Sequence, residues 1–334
     1  MDKLEIDATE QLALTRLLDD IENDFENLES DDTLNKITVL AQELPRRIRV
    51  TLNAFRREQM SGLLRISGYA VDQDRVGRTP VHWRDQHSPA TTRREELLLL
   101  LFSSLIGDPF GWVTQQNGRL IHDILPIKGH EDEQLGSSSE SLLTWHTEDA
   151  FHPMRGDFLG FSCLRNPYGT ATTIGYIDAL DMPDSMKNML FENRFSIRPD
   201  ESHLAKNNSA KGGADMFAGI EEMQQNPDRV AVLFGDPARP YIRADPYFMK
   251  VDPDDYEAQC ALAWLVKEMD EKLFDLCLES GDFYFLDNFR IVHGRKPFTA
   301  RHDGTDRWLK RVNIACDLRK SQAALQPGSR RSVS

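Results

Sequence analysis

Short strand-forming segments follow one another closely through the second half of the chain, and this crowding restricts the possible folds more than any other feature. Runs rich in β-branched and aromatic residues lie at 143–147, 157–164, 172–178, 228–235, 240–244, 281–287, 290–294 and 308–316. Most of the intervals leave little room for the helical crossovers that join parallel strands. The pattern therefore favours a sandwich or a barrel over a doubly wound sheet.

Two apolar series near the N-terminus recur at steps of three and four residues, the period of an amphipathic helix. The first, within residues 8–28, comprises Leu14, Leu17, Ile21, Phe25 and Leu28; the second comprises Leu34, Ile37, Ala41, Leu44, Ile48, Leu52 and Phe55. Pro45 should interrupt or bend the second helix, because proline cannot donate the helical hydrogen bond. Both apolar stripes are expected to pack on a core.

Local patterns predict several further elements. A strand is predicted at 63–69, a buried helix at 93–106 and a long helix at about 253–279. Asn117-Gly118 lies between apolar-rich runs, which predicts a hairpin.

We expect one domain, since no internal repeat divides the chain. It should span residues 1–320, with N-terminal helices at 8–57 packed on a β core at 62–317. The polar stretch at 200–216 is predicted to be a mobile loop that closes over the site as a lid. Residues 321–334 are predicted to be a flexible tail.

Composition argues against several classes of function. The 40 basic and 54 acidic residues give a net charge of −14, which disfavours nucleic acids and anionic membranes as partners. The cysteines Cys163, Cys260, Cys277 and Cys316 form no CxxC pair, as is typical of a reducing compartment. The acidic N-terminus is unlike a signal peptide, and LLLLLF at 97–102 is too short to cross a bilayer. We therefore expect a cytoplasmic protein.

The segment TWHTEDAFHP carries a candidate metal site. His146 and Glu148 are two residues apart, and on a β-strand side chains at this spacing project from the same face. His293, in the apolar segment DNFRIVHGRKPF, is the candidate for a third ligand. Two imidazoles and one carboxylate on one face of an octahedron are the ligands of non-haem Fe(II) oxygenases, but zinc hydrolases use the same residue types.

A co-substrate site must therefore decide the chemistry. Arg307 follows His293 along the chain, in DGTDRWLKRV. On a neighbouring strand its guanidinium can bind a carboxylate with two hydrogen bonds. A ligand anchored there could reach the metal with its other end.

The motifs HTEDAFHP, VHGRKPF and DGTDRWLKRV, with LPRRI, SGYAVD and TPVHW before them, resemble the clavaminate synthase-like group of Fe(II)/2-oxoglutarate-dependent oxygenases. More narrowly, the chain resembles bacterial hydroxylases of free arginine, lysine and asparagine. The resemblance extends from about residue 40 to 316. It implies an α+β fold with a mainly β core, a double-stranded β-helix (jelly roll, cupin-like) with flanking helices.

The resemblance also implies roles for individual residues. Iron is held by His146, Glu148 and His293. The distal carboxylate of 2-oxoglutarate is held by Arg307, with a further hydrogen bond from Thr172 or Thr173. The α-carboxylate and α-amino group of the substrate are held by Arg311 and Gln115, and Glu148 is also among the substrate contacts. Fe(II), 2-oxoglutarate and O2 then hydroxylate an unactivated carbon, with release of succinate and CO2.

The end of the substrate side chain should meet Asp245, since the resemblance places the residue that recognises it there. A carboxylate favours a cationic amino acid. Arginine-specific relatives tend to offer a second acid where this chain has Tyr247, so lysine is favoured here, with hydroxylation at the β- or γ-carbon. Asp200 could close over the same end and supply that second acid, which would favour arginine. Citrulline or asparagine would fit if Asp245 recognises an amide.

Other interpretations stay open. A jelly-roll metal-binding module or a zinc hydrolase would also show two histidines and a glutamate, although neither requires Arg307 and Arg311. The acidic N-terminal helices could form a dimerisation surface, which would make the protein a homo-oligomer. The remaining histidines, of which His152 is interpreted as structural or as supporting the ligands, have no partners at ligand spacing; they are His82, His87, His122, His130, His152, His203 and His302.

Overall fold

A computed structural model describes residues 1–57, 60–85, 91–208, 215–326 and 328–334. His87 and residues 209–214 of the predicted lid lie outside the described residues. No helix within the described ranges combines the length and apolar character needed to span a membrane.

The α-helices lie mainly in the first third of the chain and around the later strands. They are α1 (Ala8–Ile21), α2 (Asp31–Leu40), α3 (Arg46–Arg56), α4 (Gln73–Val76), α5 (Arg93–Ile106), α6 (Asp184–Leu190), α7 (Asp215–Gln225) and α8 (Tyr256–Lys272). Both predicted apolar stripes are buried, which confirms the amphipathic pattern. Pro45 immediately precedes α3, a position that its fixed φ suits, so it separates two helices rather than bending one.

The strands are short, as the sequence pattern indicates. They are β1 (Asp2–Glu5), β2 (Leu63–Ser67), β3 (Asp108–Trp112), β4 (His122–Ile124), β5 (Leu143–His146), β6 (Phe158–Arg165), β7 (Ala171–Tyr176), β8 (Phe195–Ile197), β9 (Arg229–Val230), β10 (Leu233–Asp236), β11 (Arg239–Ile242), β12 (Met249–Val251), β13 (Phe274–Cys277), β14 (Phe283–Asp287), β15 (Ile291–Arg295), β16 (Trp308–Ala315) and β17 (Ser332–Val333).

Two sheets form the centre of the molecule. In the larger sheet the strand order is β1-β2-β14-β6-β16-β3-β17, and β4 also pairs with β16. The other sheet has the order β13-β7-β15-β5. Apolar side chains from both sheets share one core cluster, including Leu159 of the larger sheet and Ile174 and Ile291 of the smaller one. The two sheets therefore pack face to face.

Helices cover the outer faces of these sheets. The N-terminal helices and the buried helix α5 pack with Leu64, Phe285 and Ile314 on the outer side of the larger sheet. Helix α8 and the small sheets β12-β8-β9 and β10-β11 build a second core with Trp145 and Val292 of the smaller sheet. Because both outer faces are covered by apolar packing, the polar side chains converge in the space between β5, β15 and β16.

The structure corrects two predicted elements. Asn117 and Gly118 do turn the chain, with φ values of 61° and 78°. However, β3 and β4 do not form a hairpin, because both pair with β16, at successive positions along it. The long helix ends at Lys272 instead of 279, since residues Phe274–Cys277 pair with β7 as a strand.

The C-terminal segment is also different from the predicted flexible tail. Residues Ser332–Val333 form β17, which pairs in parallel with β3. Val333 is fully buried and Arg331 donates a hydrogen bond to the Pro109 carbonyl at 3.2 Å. The edge of β3 has backbone groups that β17 can pair with, and these hydrogen bonds offset the conformational entropy lost when the polar C-terminal segment becomes ordered.

Candidate functional site

Strand pairing brings the two histidines of the predicted metal site together. His146 ends β5 and lies directly opposite His293 on the antiparallel neighbour β15. Directly opposed residues project from the same face of a sheet, and the two imidazole centroids are 4.6 Å apart.

Glu148 joins this pair from just beyond the end of β5 rather than from within the strand. Its backbone is fixed by Asn288, whose side chain accepts from Glu148 N at 2.8 Å and donates to Glu148 O at 3.0 Å. The carboxylate Oε2 lies 3.7 Å from His146 Nε2 and 3.4 Å from His293 Nε2. Donor atoms of all three side chains lie within 4.8 Å of one another.

The hydrogen bonds of the histidines suit metal binding. His146 Nδ1 donates to the Thr144 carbonyl at 2.8 Å, which leaves Nε2 as the donor atom facing Glu148. His293 Nδ1 is buried and has no partner among the described residues, while its Nε2 also faces Glu148. Two nitrogens and one carboxylate oxygen on one side of a cavity fit a divalent iron with open positions.

The charges of the three side chains depend on one another. Burial by itself would raise the pKa of Glu148, but Arg311 and the two imidazoles hold it well below its usual range. Burial would lower the pKa of His146, but the hydrogen bond to Glu148 raises it to about 9. A metal ion and a proton therefore compete for the same ligand atoms, and metal binding should release the proton.

Arg307, immediately before β16, is the residue most clearly prepared for an anion. Its guanidinium is buried, and burial lowers its pKa. The described contacts give it one hydrogen bond, from Nη2 to Thr172 Oγ1 at 3.4 Å, and no carboxylate partner. A buried guanidinium without a counter-ion is costly, so this site fits the carboxylate of 2-oxoglutarate.

The structure distinguishes the two candidate threonines. Thr172 faces the cavity beside Arg307. Thr173, the next residue on β7, lies opposite Gly294, and a Cβ added to Gly294 would be 2.8 Å from Thr173 Oγ1. Since successive strand residues alternate between faces, only Thr172 can contact a ligand held by Arg307.

Arg311 and Gln115, the residues that the resemblance assigns to the substrate, meet beside Glu148. Arg311 Nη1 forms an ion pair with Glu148 Oε1, and Nη2 donates to Gln115 Oε1 at 3.2 Å. His122, which the sequence reasoning left without a partner, completes this group. Its Nε2 donates to the Arg119 carbonyl at 2.9 Å, so Nδ1 accepts from Arg311 Nη2 at 2.9 Å.

Two further carboxylates face the same cavity. Burial raises the pKa of Asp245 to about 6; His146 opposes this shift and Asp200 adds to it. Neither Asp200 nor Asp245 forms an ion pair with a lysine or arginine of the described residues. Tyr247 does not line the cavity: its side chain is 58% exposed and packs against Phe248.

The triad, Thr172, Arg307, Arg311 and the two further carboxylates all line one cavity. Its polar lining comprises Gln134, Thr144, His146, Glu148, Asp149, Thr172, Asp200, Ser202, Asp245, Tyr284, His293, Arg295, Arg307 and Arg311. Gln115 lies just behind this lining, where it contacts Arg311. Among the described residues, the cavity thus combines a candidate metal-binding triad, a guanidinium without a carboxylate partner and two carboxylates without a lysine or arginine partner.

Comparison with known proteins identifies the family of this chain. The model of the taurine catabolism dioxygenase TauD, TfdA family matches residues 84–313, which contain every residue of the predicted site. The chain belongs to this family. The enzyme class and the cofactors expected from the sequence are thereby confirmed: the protein is a dioxygenase that uses iron, 2-oxoglutarate and O2. A zinc hydrolase or a non-enzymatic binding module is not supported.

Individual relatives of this dioxygenase are hydroxylases of amino acids. L-ornithine/L-arginine 3-hydroxylase of Catenulispora acidiphila is 43% identical over 332 residues, covering 97% of each chain. Enduracididine beta-hydroxylase of Streptomyces hygroscopicus is 42% identical, covering 93% of this chain and 94% of the relative. An L-lysine 4-hydroxylase of Chitinophaga pinensis is only 26% identical, covering 89% and 76%.

A solved structure has the same fold as this dioxygenase. The non-haem iron oxygenase OrfP in complex with Fe, succinate and (3S)-hydroxy-L-Arg superposes with a TM-score of 0.96 at 42% identity, over 100% of both chains. The α+β class predicted from the sequence agrees with this match.

Proposed function

We propose that the protein hydroxylates a free basic L-amino acid at its β-carbon, with L-arginine as the preferred substrate. The observation that carries this proposal is the pair Asp200 and Asp245, two carboxylates that face one cavity without a lysine or arginine partner among the described residues. A cation on the substrate would relieve both the burial cost and their mutual repulsion.

The opposite end of the cavity suits the α-carbon substituents. Arg311 provides a fixed guanidinium for a carboxylate, and Gln115 and Glu148 provide acceptors for an ammonium group. These residues are the same ones that the sequence resemblance assigned to the substrate. A free amino acid with a basic side chain would thus be held at both ends.

Arginine replaces lysine as the preferred substrate for two reasons. Two carboxylates can each accept hydrogen bonds from a planar guanidinium, whereas a compact ammonium needs fewer acceptors. The aromatic face that favoured lysine is not in the cavity, since Tyr247 points to solvent. The relatives agree, because those acting on arginine, ornithine or enduracididine are far more similar to this chain than the lysine hydroxylase.

Attack at the β-carbon follows from the position of Arg311. Because Arg311 pairs directly with Glu148, the α-carboxylate is held beside the metal ligands, and the β-carbon is the nearest methylene. The names of the relatives, a 3-hydroxylase and a beta-hydroxylase, support the same position.

The chain's own residues would then bind and orient the reactants. His146, Glu148 and His293 would hold iron, and Arg307 with Thr172 would hold 2-oxoglutarate. When bound, iron and 2-oxoglutarate would supply the oxidising chemistry with O2 as the oxidant: one oxygen atom enters succinate as CO2 is released, and the other enters the amino acid as its hydroxyl group. Arg311, Asp200 and Asp245 would fix the amino acid so that one carbon is presented.

Side-by-side incubation tests the proposal. L-arginine, L-ornithine, L-lysine, L-citrulline and L-asparagine are each incubated with Fe(II), 2-oxoglutarate, ascorbate and air, and the products are analysed by mass spectrometry and NMR. Arginine should gain one oxygen at C3 fastest. Citrulline has nearly the same shape as arginine but no charge, so faster hydroxylation of citrulline would show that Asp200 and Asp245 do not select a cation.

We also infer that the two facing sheets form the double-stranded β-helix implied by the sequence. The shared core between them and the triad at one end support this inference. A single oxygenase domain at 1–320, a cytoplasmic location, the expected lack of nucleic-acid or membrane partners, and assembly into a homo-oligomer all stay predictions.

A further inference from the structure

A chain of buried hydrogen bonds lies directly behind the substrate end of the cavity. Asp149 Oδ2 accepts from Trp112 Nε1 at 2.6 Å, and Asp149 Oδ1 accepts from His203 Nε2 at 2.9 Å. His203 Nε2 therefore carries a hydrogen, and Nδ1 is hydrogen-bonded to Thr114 Oγ1 at 2.7 Å. His203 is completely buried, and Asp149 and Thr114 are nearly so.

This chain connects three separate parts of the site. Asp149 follows the predicted ligand Glu148 and adopts φ 53°, a conformation that is uncommon outside glycine and needs support from its surroundings. Thr114 precedes Gln115. His203 ends the short turn Glu201–His203, which begins with Asp200 as its cap.

The turn is tied to the cavity at its other end as well. Ser202 N donates to Asp200 Oδ1 at 2.8 Å, and Gln115 Nε2 donates to Ser202 Oγ at 2.6 Å. Asp200 is thus held at the cavity by bonds that begin at Asp149 and Thr114. Gln115 Nε2 also donates to Asp149 Oδ1 at 3.4 Å, so His203 and, through a longer hydrogen bond, Gln115 both join the turn to Asp149.

We propose that His203 is a positioning residue that determines substrate affinity. By bridging Asp149 and Thr114, it fixes the 200–204 turn so that Asp200 and Asp245 face the same substrate cation. The substrate part of this inference rests on the function proposed above, whereas the bridge itself does not.

A second metal site is the competing interpretation, because donor atoms of Asp149, Asp200 and His203 lie within 4.8 Å of one another. The hydrogen bonds of these three residues argue against a metal site. His203 Nε2 carries a hydrogen, Asp149 Oδ2 is occupied by Trp112, and Asp200 Oδ1 accepts from Ser202. These donors stabilise one another without a cation.

The chain offers a matched control for His203. His152 is also a buried histidine in contact with Trp112, at a centroid distance of 4.5 Å against 5.6 Å for His203. Its Nδ1 accepts from Met154 N at 3.0 Å, and its only described hydrogen bond to Asp149 is from backbone N to the Asp149 carbonyl at 2.9 Å, which a substitution of the side chain leaves in place. His203→Gln and His152→Gln therefore make similar changes in the same core, and only the first breaks the bridge.

Kinetics with arginine provide one test. His203→Gln should raise KM for arginine about tenfold or more, because it disrupts both buried hydrogen bonds of the bridge, while KM for 2-oxoglutarate stays at the wild-type value. Thr114→Val, which removes only the bond to Nδ1, should change KM in the same direction by less. If His203→Gln instead lowers kcat and leaves KM for arginine unchanged, or if His152→Gln has the same effect on KM, the residue is only structural and the proposal fails.

Limited proteolysis provides a test that needs neither iron nor an amino acid. Lys206 is half exposed and follows the tied turn. Trypsin should cut after Lys206 faster in full-length His203→Gln and Thr114→Val than in the wild type or His152→Gln, because breaking the bridge releases the turn. Equal cleavage rates in all four proteins would overturn the bridge, even if arginine proves to be the substrate. Faster cleavage in a protein that hydroxylates no basic amino acid would support the bridge and refute the proposed function.

Discussion

Replacement of Arg307 by methionine should produce opposite effects on stability and on co-substrate binding. In the chain without ligands, the guanidinium is buried with one long hydrogen bond, to Thr172 at 3.4 Å, and no carboxylate partner in the described structure. Methionine has a similar length and no charge, so the substitution removes a desolvated cation without leaving a large cavity. We expect the ligand-free variant to unfold at the same temperature as the wild type or at a higher one.

The substitution should, however, weaken the binding of 2-oxoglutarate. Removing one partner of a buried, hydrogen-bonded charge pair costs about 2–5 kcal/mol. Each 1.4 kcal/mol is a factor of ten, so the concentration of 2-oxoglutarate required for half-maximal rate should rise roughly 30-fold to several-thousand-fold. Binding of the metal should change little, since Arg307 does not contact the triad.

Arg295 is the matched control, because it is also a buried arginine that lines the cavity. Unlike Arg307, it donates to the carbonyls of Ser139, Lys296 and Ser141 and to the Ser138 hydroxyl. Arg295→Met leaves these acceptors unpaired and should lower the unfolding temperature by about 5 °C or more.

Two measurements check this reasoning. Thermal unfolding is followed with and without 2-oxoglutarate and Mn(II), and succinate release is measured against 2-oxoglutarate concentration. At about 100 times its Kd, the co-substrate should stabilise the wild type by about 2.7 kcal/mol and Arg307→Met far less. A ligand-free Arg307→Met that melts several degrees below the wild type, or an unchanged 2-oxoglutarate requirement, would refute the assignment of Arg307 as the anion anchor.

The remaining predictions concern the substrate and the second co-substrate contact. Asp245→Asn should raise KM for arginine about tenfold or more and change KM for citrulline much less, measured by product formation with each amino acid. Burial raises the pKa of Asp245 to about 6, so its carboxyl becomes neutral below that pH. In the wild type, KM for arginine should therefore rise as the pH falls from about 7 to about 5, whereas in Asp245→Asn it should not change with pH. The same pH profile in both proteins would exclude Asp245 as the titrating group. Thr172→Val should raise KM for 2-oxoglutarate several-fold, whereas Thr173→Val should not, and the reverse result would show that the register of β7 is misassigned.

The sequence was sufficient to predict the N-terminal helices and the central residues of the cavity. The apolar periods of residues 8–55 are local properties, and burial of every residue in those series follows from them. The triad and Arg307 lie in short motifs, each within one strand or at its end, so their identity did not depend on knowing the fold. The predicted element boundaries that were wrong depend on pairing between distant strands: Phe274–Cys277 pairs with β7, and Ser332–Val333 pairs with β3.

The supporting residues were not predictable, and the reason is physical. His122 contacts Arg311 across 189 positions in the sequence, and His203 contacts Asp149 across 54. Neither histidine lies at a ligand spacing from another residue, and His203 occurs in a stretch so polar that it indicated a solvent-exposed loop. Burial of such a stretch depends on partners that only the folded chain brings together, so neither periodicity nor composition can reveal it.

Under the proposed function, the charges of the cavity would keep 2-oxoglutarate and the amino acid at different ends of it. Among the described residues Arg307 has no carboxylate partner, and Asp200 and Asp245 have no lysine or arginine partner, so these charges are costly to bury. They do not neutralise each other, because they are held on different elements. A dianion is attracted to the first site and a cationic side chain to the second, while the paired Arg311 and Glu148 separate them. It follows that Arg307→Met and Asp245→Asn should act on different ligands and that their effects should add in the double variant. Strong non-additivity would mean that the two ends of the cavity share one electrostatic site, and the division of roles proposed for them would have to be abandoned.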